Sequence, residues 1–268
     1  MSSIPRPPYD PELAPGLAAI KFSPTVTMEM IEYVLEQSAP TSEQALSGRK
    51  VVHREEKIAG PQGDITISII SSPPGQSATT KYPGIFYTHG GRMFAGNRFL
   101  GIGPILDWVE ESDAVCVSVE YRLPPEHLDP AHVEDCYAAL LWVYSHLDGL
   151  QIDPDKLMIA GSSAGEGLAA GVALLCRDRG GPNLCAQVLI CPMLDDRNET
   201  VSSNQYISEG SWSRGSNLTG WACLLGSRRG RGRGGEDVSI HAAPSRADDL
   251  SGLPATVIDV GSTEILAS

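Results

Sequence analysis

The pentapeptide Gly161-Ser162-Ser163-Ala164-Gly165 has the residue types and spacing for nucleophilic chemistry. It follows the short apolar run Leu157 to Ala160 and opens a helix-like stretch from about 164 to 178. A sharp strand-to-helix turn would lift the Ser163 hydroxyl above a sheet. Only tiny side chains fit two positions either side of it, which Gly161 and Gly165 satisfy. The following helix would point its amide end at the site and favour developing negative charge. Upstream, His89-Gly90-Gly91-Arg92 follows the apolar run Gly84 to Thr88. Glycines there let the backbone approach an acyl carbonyl and aim amide N–H groups at its oxyanion. Either element alone could be a plain tight turn. Together they are far more specific than either alone.

Positioning these two turns requires strands that end in line. Val51 to Lys57 and Ile65 to Ile70 read as an antiparallel pair joined through Ala59 to Asp64. Beyond them, strands at Gly84–Thr88, Ala114–Val119, Leu157–Ala160, Ala186–Cys191 and Thr256–Val260 alternate with helices around 98–112, Pro130–Leu147 and 164–178. That alternation predicts an α/β fold with a mostly parallel sheet covered by helices on both faces. In the second of these helices Val133, Tyr137, Leu140, Leu141 and Tyr144 are spaced for one face. Near the N-terminus, 1–24 is a proline-rich extended arm. Thr27 to Gln37 is an amphipathic helix with Thr27 as its cap and Met28, Ile31, Val34 and Leu35 on one face. Residues 38–50 read as a polar linker, and 193–226 as irregular. Arg228-Arg229-Gly230-Arg231-Gly232-Arg233-Gly234-Gly235 reads as a surface loop rather than an Arg-Gly nucleic-acid segment.

Composition narrows the possibilities. The 268 residues hold 20 Lys+Arg against 33 Asp+Glu, a net charge of −13, which argues against a nucleic-acid partner. No apolar run reaches the roughly 18 residues of a membrane span, and the proline-rich start lacks a secretory pattern. Cys116, Cys136, Cys176, Cys185, Cys191 and Cys223 show no metal or redox spacing; Cys116 and Cys191 fall in strand-like runs. Buried free thiols in a cytoplasmic protein are expected, with no cofactor and no metal.

The chain resembles the alpha/beta hydrolase fold-3 family, the hormone-sensitive-lipase-like esterases. The resemblance rests on His89-Gly90-Gly91, on Gly161-Ser162-Ser163-Ala164-Gly165, and on Tyr121-Arg122-Leu123-Pro124-Pro125-Glu126-His127 leading into Val133-Glu134-Asp135-Cys136. It implies an α/β-hydrolase domain over residues 49–268 and an N-terminal arm and helical cap over 1–48. It implies a serine carboxylic-ester hydrolase acting on a small-molecule ester. Ser163 would be the nucleophile. The amides of Gly91, Arg92 and Ala164 would form the oxyanion hole, with Gly90 shaping the turn, and His89, Gly161 and Gly165 would serve structurally. The triad acid would be Glu264, in Gly261-Ser262-Thr263-Glu264 after the strand Thr256–Val260, with Asp259 as its rival.

Triad order in this fold is Ser, acid, His. Only Ile265, Leu266, Ala267 and Ser268 follow Glu264. His53, His89, His127, His132, His146 and His241 all lie elsewhere. The chain therefore reads as truncated before the family's last helix, strand and histidine loop. Arg92 stands where the family has a third oxyanion glycine, Ser162 where it has an acid, and Glu166 where it has a second glycine after the nucleophile. Glu166 is expected either to add charge near the site or to point to solvent. Two readings follow: an ester hydrolase, or a non-catalytic relative that binds small apolar ligands without turning them over. Oligomeric state is not legible.

Overall fold

The computed structural model describes residues 5–19, 25–73, 80–229 and 238–267. Its strands are β1 (Val52–Gly60), β2 (Gly63–Ser71), β3 (Tyr82–Thr88), β4 (Val115–Glu120), β5 (Ile152–Gly161), β6 (Ala186–Ile190) and β7 (Ala255–Asp259). They form one sheet in the order β1-β2-β4-β3-β5-β6-β7. The β1–β2 and β2–β4 pairs are antiparallel, and the other four neighbour pairs are parallel. The β1–β2 hairpin closes from Gly60 to Gly63 across Pro61-Gln62.

The helices are α1 (Ala14–Ala19), α2 (Ile31–Gln37), α3 (Ser42–Leu46), α4 (Gly103–Ser112), α5 (Ala131–Ser145), α6 (Leu147–Leu150), α7 (Ala164–Arg179), α8 (Val201–Gln205) and α9 (Arg214–Leu225). Successive strand residues face opposite sides, so neighbours in the chain enter different cores. Ile69, Phe86, Val117 and Ile159 pack with Val133, Leu140 and Val143 of α5 and with Leu168, Val172 and Leu175 of α7. Ile70, Ile85, Cys116 and Ala160 pack on the other face with Ile105, Leu106 and Val109 of α4. Each fully buried aliphatic side chain contributes about 1.5–3 kcal/mol. The two-sided burial explains why β3 and β4 read as continuous apolar runs.

Several local expectations differ from the structure. Helix α4 starts at Gly103 rather than near 98. On α5 the apolar face is Val133, Cys136, Tyr137, Leu140 and Val143, while Leu141 and Tyr144 are exposed. Thr27 makes no capping bond; its hydroxyl donates to Glu29 at 2.6 Å, and Met28 is exposed. The arm holds the short helix α1, and the 38–50 segment holds α3, capped reciprocally by Thr41 and Gln44. The 193–226 stretch contains α8 and α9, each with a hydroxyl cap, Thr200 and Ser213. Cys185 is exposed, and Cys191 lies just past β6 with φ of 56° rather than inside a strand. Of the Arg-Gly tract, residues 230–235 lie outside the described residues. Arg228 binds the Asp129 carboxylate at 3.1 Å.

Residues 25–35 pack over the middle of the molecule. Val26, Ile31 and Val34 share a core with Phe94, Ala95 and Cys223. The Val26 amide donates to Ser216 Oγ at 2.9 Å, and Thr219 Oγ1 donates to the Val26 carbonyl at 2.8 Å. Strand β7 has β6 as its one sheet neighbour, and all five of its residues are exposed, Val257 and Ile258 among them. Among the described residues, no helix is long and apolar enough to cross a membrane.

Candidate active site

The β5–α7 junction is bent sharply at Ser163, which has φ 55° and ψ −111° and sits immediately before the first residue of α7. A positive φ at a non-glycine residue costs on the order of 1–3 kcal/mol, so surrounding contacts must impose it. They do so from two sides. The Gly165 amide donates to the Ser162 carbonyl at 2.9 Å, and the Glu166 amide to the Ser163 carbonyl at 3.0 Å. Thr88 Oγ1 donates to the Gly165 carbonyl at 2.7 Å and to the Ala160 carbonyl at 3.3 Å. The result leaves Ser163 exposed while Ala164 to Ala170 are buried. Ala164 begins the helix, so its N–H is one of the donors that helix geometry leaves without an intrahelical partner.

The second turn, residues 89–92, is wedged against this junction. A β-carbon at Gly90 would lie 2.5 Å from the Ser162 carbonyl oxygen. At Gly165 it would lie 2.3 Å from the His89 carbonyl oxygen. Glycine at both positions is therefore a steric requirement for bringing the turns together. Gly91 has φ 131°, and its carbonyl accepts from the Phe94 amide at 3.1 Å and the Ala95 amide at 2.8 Å. Arg92 and Met93 follow at φ 62° and 75°. Two successive left-handed side-chain-bearing residues make this a strained loop. The Arg92 guanidinium lies 5.9 Å from the Trp212 ring centre.

His89 is fully buried and stacks on Tyr121 with ring centres 4.2 Å apart. Its Nδ1 lies 2.7 Å from the Gly90 carbonyl oxygen. A carbonyl can only accept, so Nδ1 carries the proton. Burial pushes the imidazole down to about 4. The Tyr121 hydroxyl donates to the His89 carbonyl at 2.6 Å, so Tyr121 props the His89–Arg92 turn. Arg122 in turn bonds the buried Asp135 carboxylate through Nε and Nη2, both at 2.7 Å. These contacts explain how the Tyr121–His127 stretch braces the site; His127 itself is exposed.

No histidine is bonded to Ser163. His53 meets Ser68 Oγ at 2.9 Å, and His146 Nδ1 meets the Trp142 carbonyl at 2.8 Å. His132 is buried, which pushes it down to about 4. His241 pairs with Asp178 at 2.8 Å. Asp178 is on the last turn of α7, roughly 20 Å along the axis from Ser163 at about 1.5 Å per residue.

The acidic side of the site holds three groups. Glu264 is half-buried; burial raises its carboxyl, while a hydrogen bond from the Cys191 thiol lowers it. Glu166 is buried, contrary to a solvent-facing position, and burial pushes it up to about 8, with the Glu264 charge adding to the effect. Glu166 Oε2 and Glu264 Oε1 have no hydrogen-bond partner. Burial pushes the Cys191 thiol up to about 11. Asp259 is exposed, and it is its backbone carbonyl that is engaged, by the Cys191 amide at 2.8 Å. Sequence reasoning missed Cys191, and it left the placement of Glu166 open. The apolar run from Leu168 to Cys176 was a usable signal: a first-turn glutamate on so buried a helix has little access to water. Among the described residues, no group of three or more His, Cys, Asp or Glu side chains could hold a metal ion.

This architecture has known counterparts. The alpha/beta hydrolase fold family matches residues 85–268. The chain belongs to the alpha/beta hydrolase fold-3 family. Esterase LipI of Mycobacterium tuberculosis is 34% identical over 192 residues, covering 70% of this chain and 58% of LipI. Carboxylesterase NlhH of the same species is 36% identical over 140 residues, covering 52% and 43%. The chain thus spans about half the length of these relatives. Among solved structures, a bacterial heroin esterase superposes with a TM-score of 0.81 at 34% identity, covering 93% of the present chain and 78% of the heroin esterase chain.

Proposed function

We propose that this chain carries the nucleophile, the oxyanion donors and the acid of a serine carboxylic-ester hydrolase. The observation that carries the reading is the exposed Ser163 at φ 55°, wedged by Gly165 and Gly90 against the His89–Arg92 turn. Ser163 Oγ attacks the acyl carbon of a small ester as a base takes its proton. The amides of Gly91, Arg92 and Ala164 stabilise the tetrahedral oxyanion, a contribution of about 2.7–4 kcal/mol per donor in comparable sites. Collapse breaks the ester C–O bond, the alcohol leaves with the proton, and water then hydrolyses the acyl-Ser163 ester to the acid and free Ser163. Glu264 is favoured over Asp259 as the acid because it turns inward toward the elbow helix, within electrostatic reach of Glu166, whereas Asp259 is exposed. The 1–48 segment acts as a cap over the 49–268 body, supported by the packing of Val26, Ile31 and Val34 on Phe94 and Ala95. Six free cysteines support a cytoplasmic setting.

A base is required to take the Ser163 proton, and among the described residues no hydrogen bond joins a histidine to Ser163. A second reading rests on that observation: the 268-residue chain binds small esters without turning them over. Hydrolysis of p-nitrophenyl acetate and butyrate separates the two. The 268-residue chain is expected to be nearly inactive. Supplying a histidine-bearing C-terminal segment of the family type is expected to produce activity that Ser163→Ala abolishes.

A further inference from the structure

A cavity of about 200 Å³ lies between the N-terminal arm and the acidic side of the site. Tyr9, Leu13 and Leu17 wall it from the arm, Tyr206 and Trp212 from the α8–α9 region, and Glu264 from the segment after β7. Three polar atoms of these lining residues are buried without a hydrogen-bond partner: the hydroxyls of Tyr9 and Tyr206, and Glu264 Oε1. Tyr206 is 1% exposed, and all three groups line this one cavity. Burying a polar atom without a partner costs roughly 1–3 kcal/mol, so three around one cavity mark a site built for a ligand.

The chemistry of the three atoms selects that ligand. All three are oxygens that can accept, and the two charged residues lining the cavity, Glu264 and Asp10, are both carboxylates. Arg6, which lies over the Tyr9 and Tyr206 rings, is neutralised by its ion pair with Glu209. A primary ammonium group has three donors and no acceptor, matching three unpartnered oxygens one for one. The remaining walls, Leu13, Leu17 and the Trp212 ring, suit a short apolar body. We propose that this cavity binds a small primary ammonium compound, its three N–H donors going to Glu264 and to the phenol oxygens of Tyr9 and Tyr206. The site shares Glu264 with the proposed hydrolytic machinery, but binding needs neither Ser163 nor a catalytic base, so the two can be tested apart.

The test is isothermal titration of the 268-residue chain with benzylammonium, against benzyl alcohol as the neutral probe and phenylacetate as the anion. Benzylammonium is expected to bind at least about 10-fold tighter than either, the scale of a hydrogen bond to a charged group. Glu264→Gln should lose about 10-fold or more, on the same grounds. Tyr206→Phe removes only a hydroxyl and should weaken binding about 5-fold, the scale of one neutral hydrogen bond. Ser163→Ala should leave binding unchanged, which keeps this outcome separate from any esterase result. Absence of benzylammonium binding would overturn the proposal. So would equal binding of the three probes, or full affinity in Tyr206→Phe.

Discussion

Gly165 backs directly onto the oxyanion turn: a β-carbon there would sit 2.3 Å from the His89 carbonyl oxygen and 2.2 Å from that of Thr88. Helix α7 and the 89–92 turn therefore touch through backbone alone. Neither can shift without moving the other.

Gly165→Ala must push these two backbones apart. Overpacking of this kind typically costs about 1–3 kcal/mol, and backbone oxygens yield less than side chains do. The variant is expected to unfold at a lower urea concentration than the parent. An unchanged midpoint would mean that the two turns are not in contact.

Arg92 gives a change in the other direction. Its φ of 62° is one that glycine adopts freely and arginine does not. Arg92→Gly is expected to raise stability by about 1 kcal/mol through relief of that strain, less the loss of its contact with Trp212. The urea midpoint checks this, and a clear destabilisation would show that the contact with Trp212 outweighs the strain.

Glu166 should write a signature into the pH dependence of stability. Its folded-state value, about 8, lies above the ordinary 4.5, so the native state binds a proton where the unfolded chain has lost it. Stability linked to this group is full below the ordinary value and falls as pH rises through about 8. Glu166→Gln removes the titration, so its unfolding free energy should decline less than the parent's across that window. Parallel pH profiles for the two chains would contradict the burial of Glu166.

The sequence announced the parallel strands because residues buried on both faces must be largely apolar, as Val115, Cys116, Val117 and Val119 are. Ser163 and the His89–Arg92 turn were equally legible, since close backbone approach leaves only glycine at Gly90 and Gly165. The short helices α8 and α9 were hidden because they are held by hydroxyl caps and tertiary packing, as where Ser213 accepts from the Ser216 amide. Burial of Glu166 depends on what Glu264 and Cys191 bring against it from distant parts of the chain. Leu141 and Tyr144 had helical spacing yet face outward, because the sheet accepts a narrower stripe of α5 than periodicity alone suggests.

The central claim is that Ser163 is a nucleophile wanting only a base. Initial rates on p-nitrophenyl butyrate test it most directly, measured for the 268-residue chain, for the chain supplied with a histidine-bearing C-terminal segment, and for Ser163→Ala of the latter. The account predicts a near-background rate for the first and a gain of about 10²-fold or more for the second, the scale of a positioned general base. It predicts loss of that gain in the third. Robust Ser163-dependent turnover by the 268-residue chain would contradict it, and so would a gain that survives Ser163→Ala.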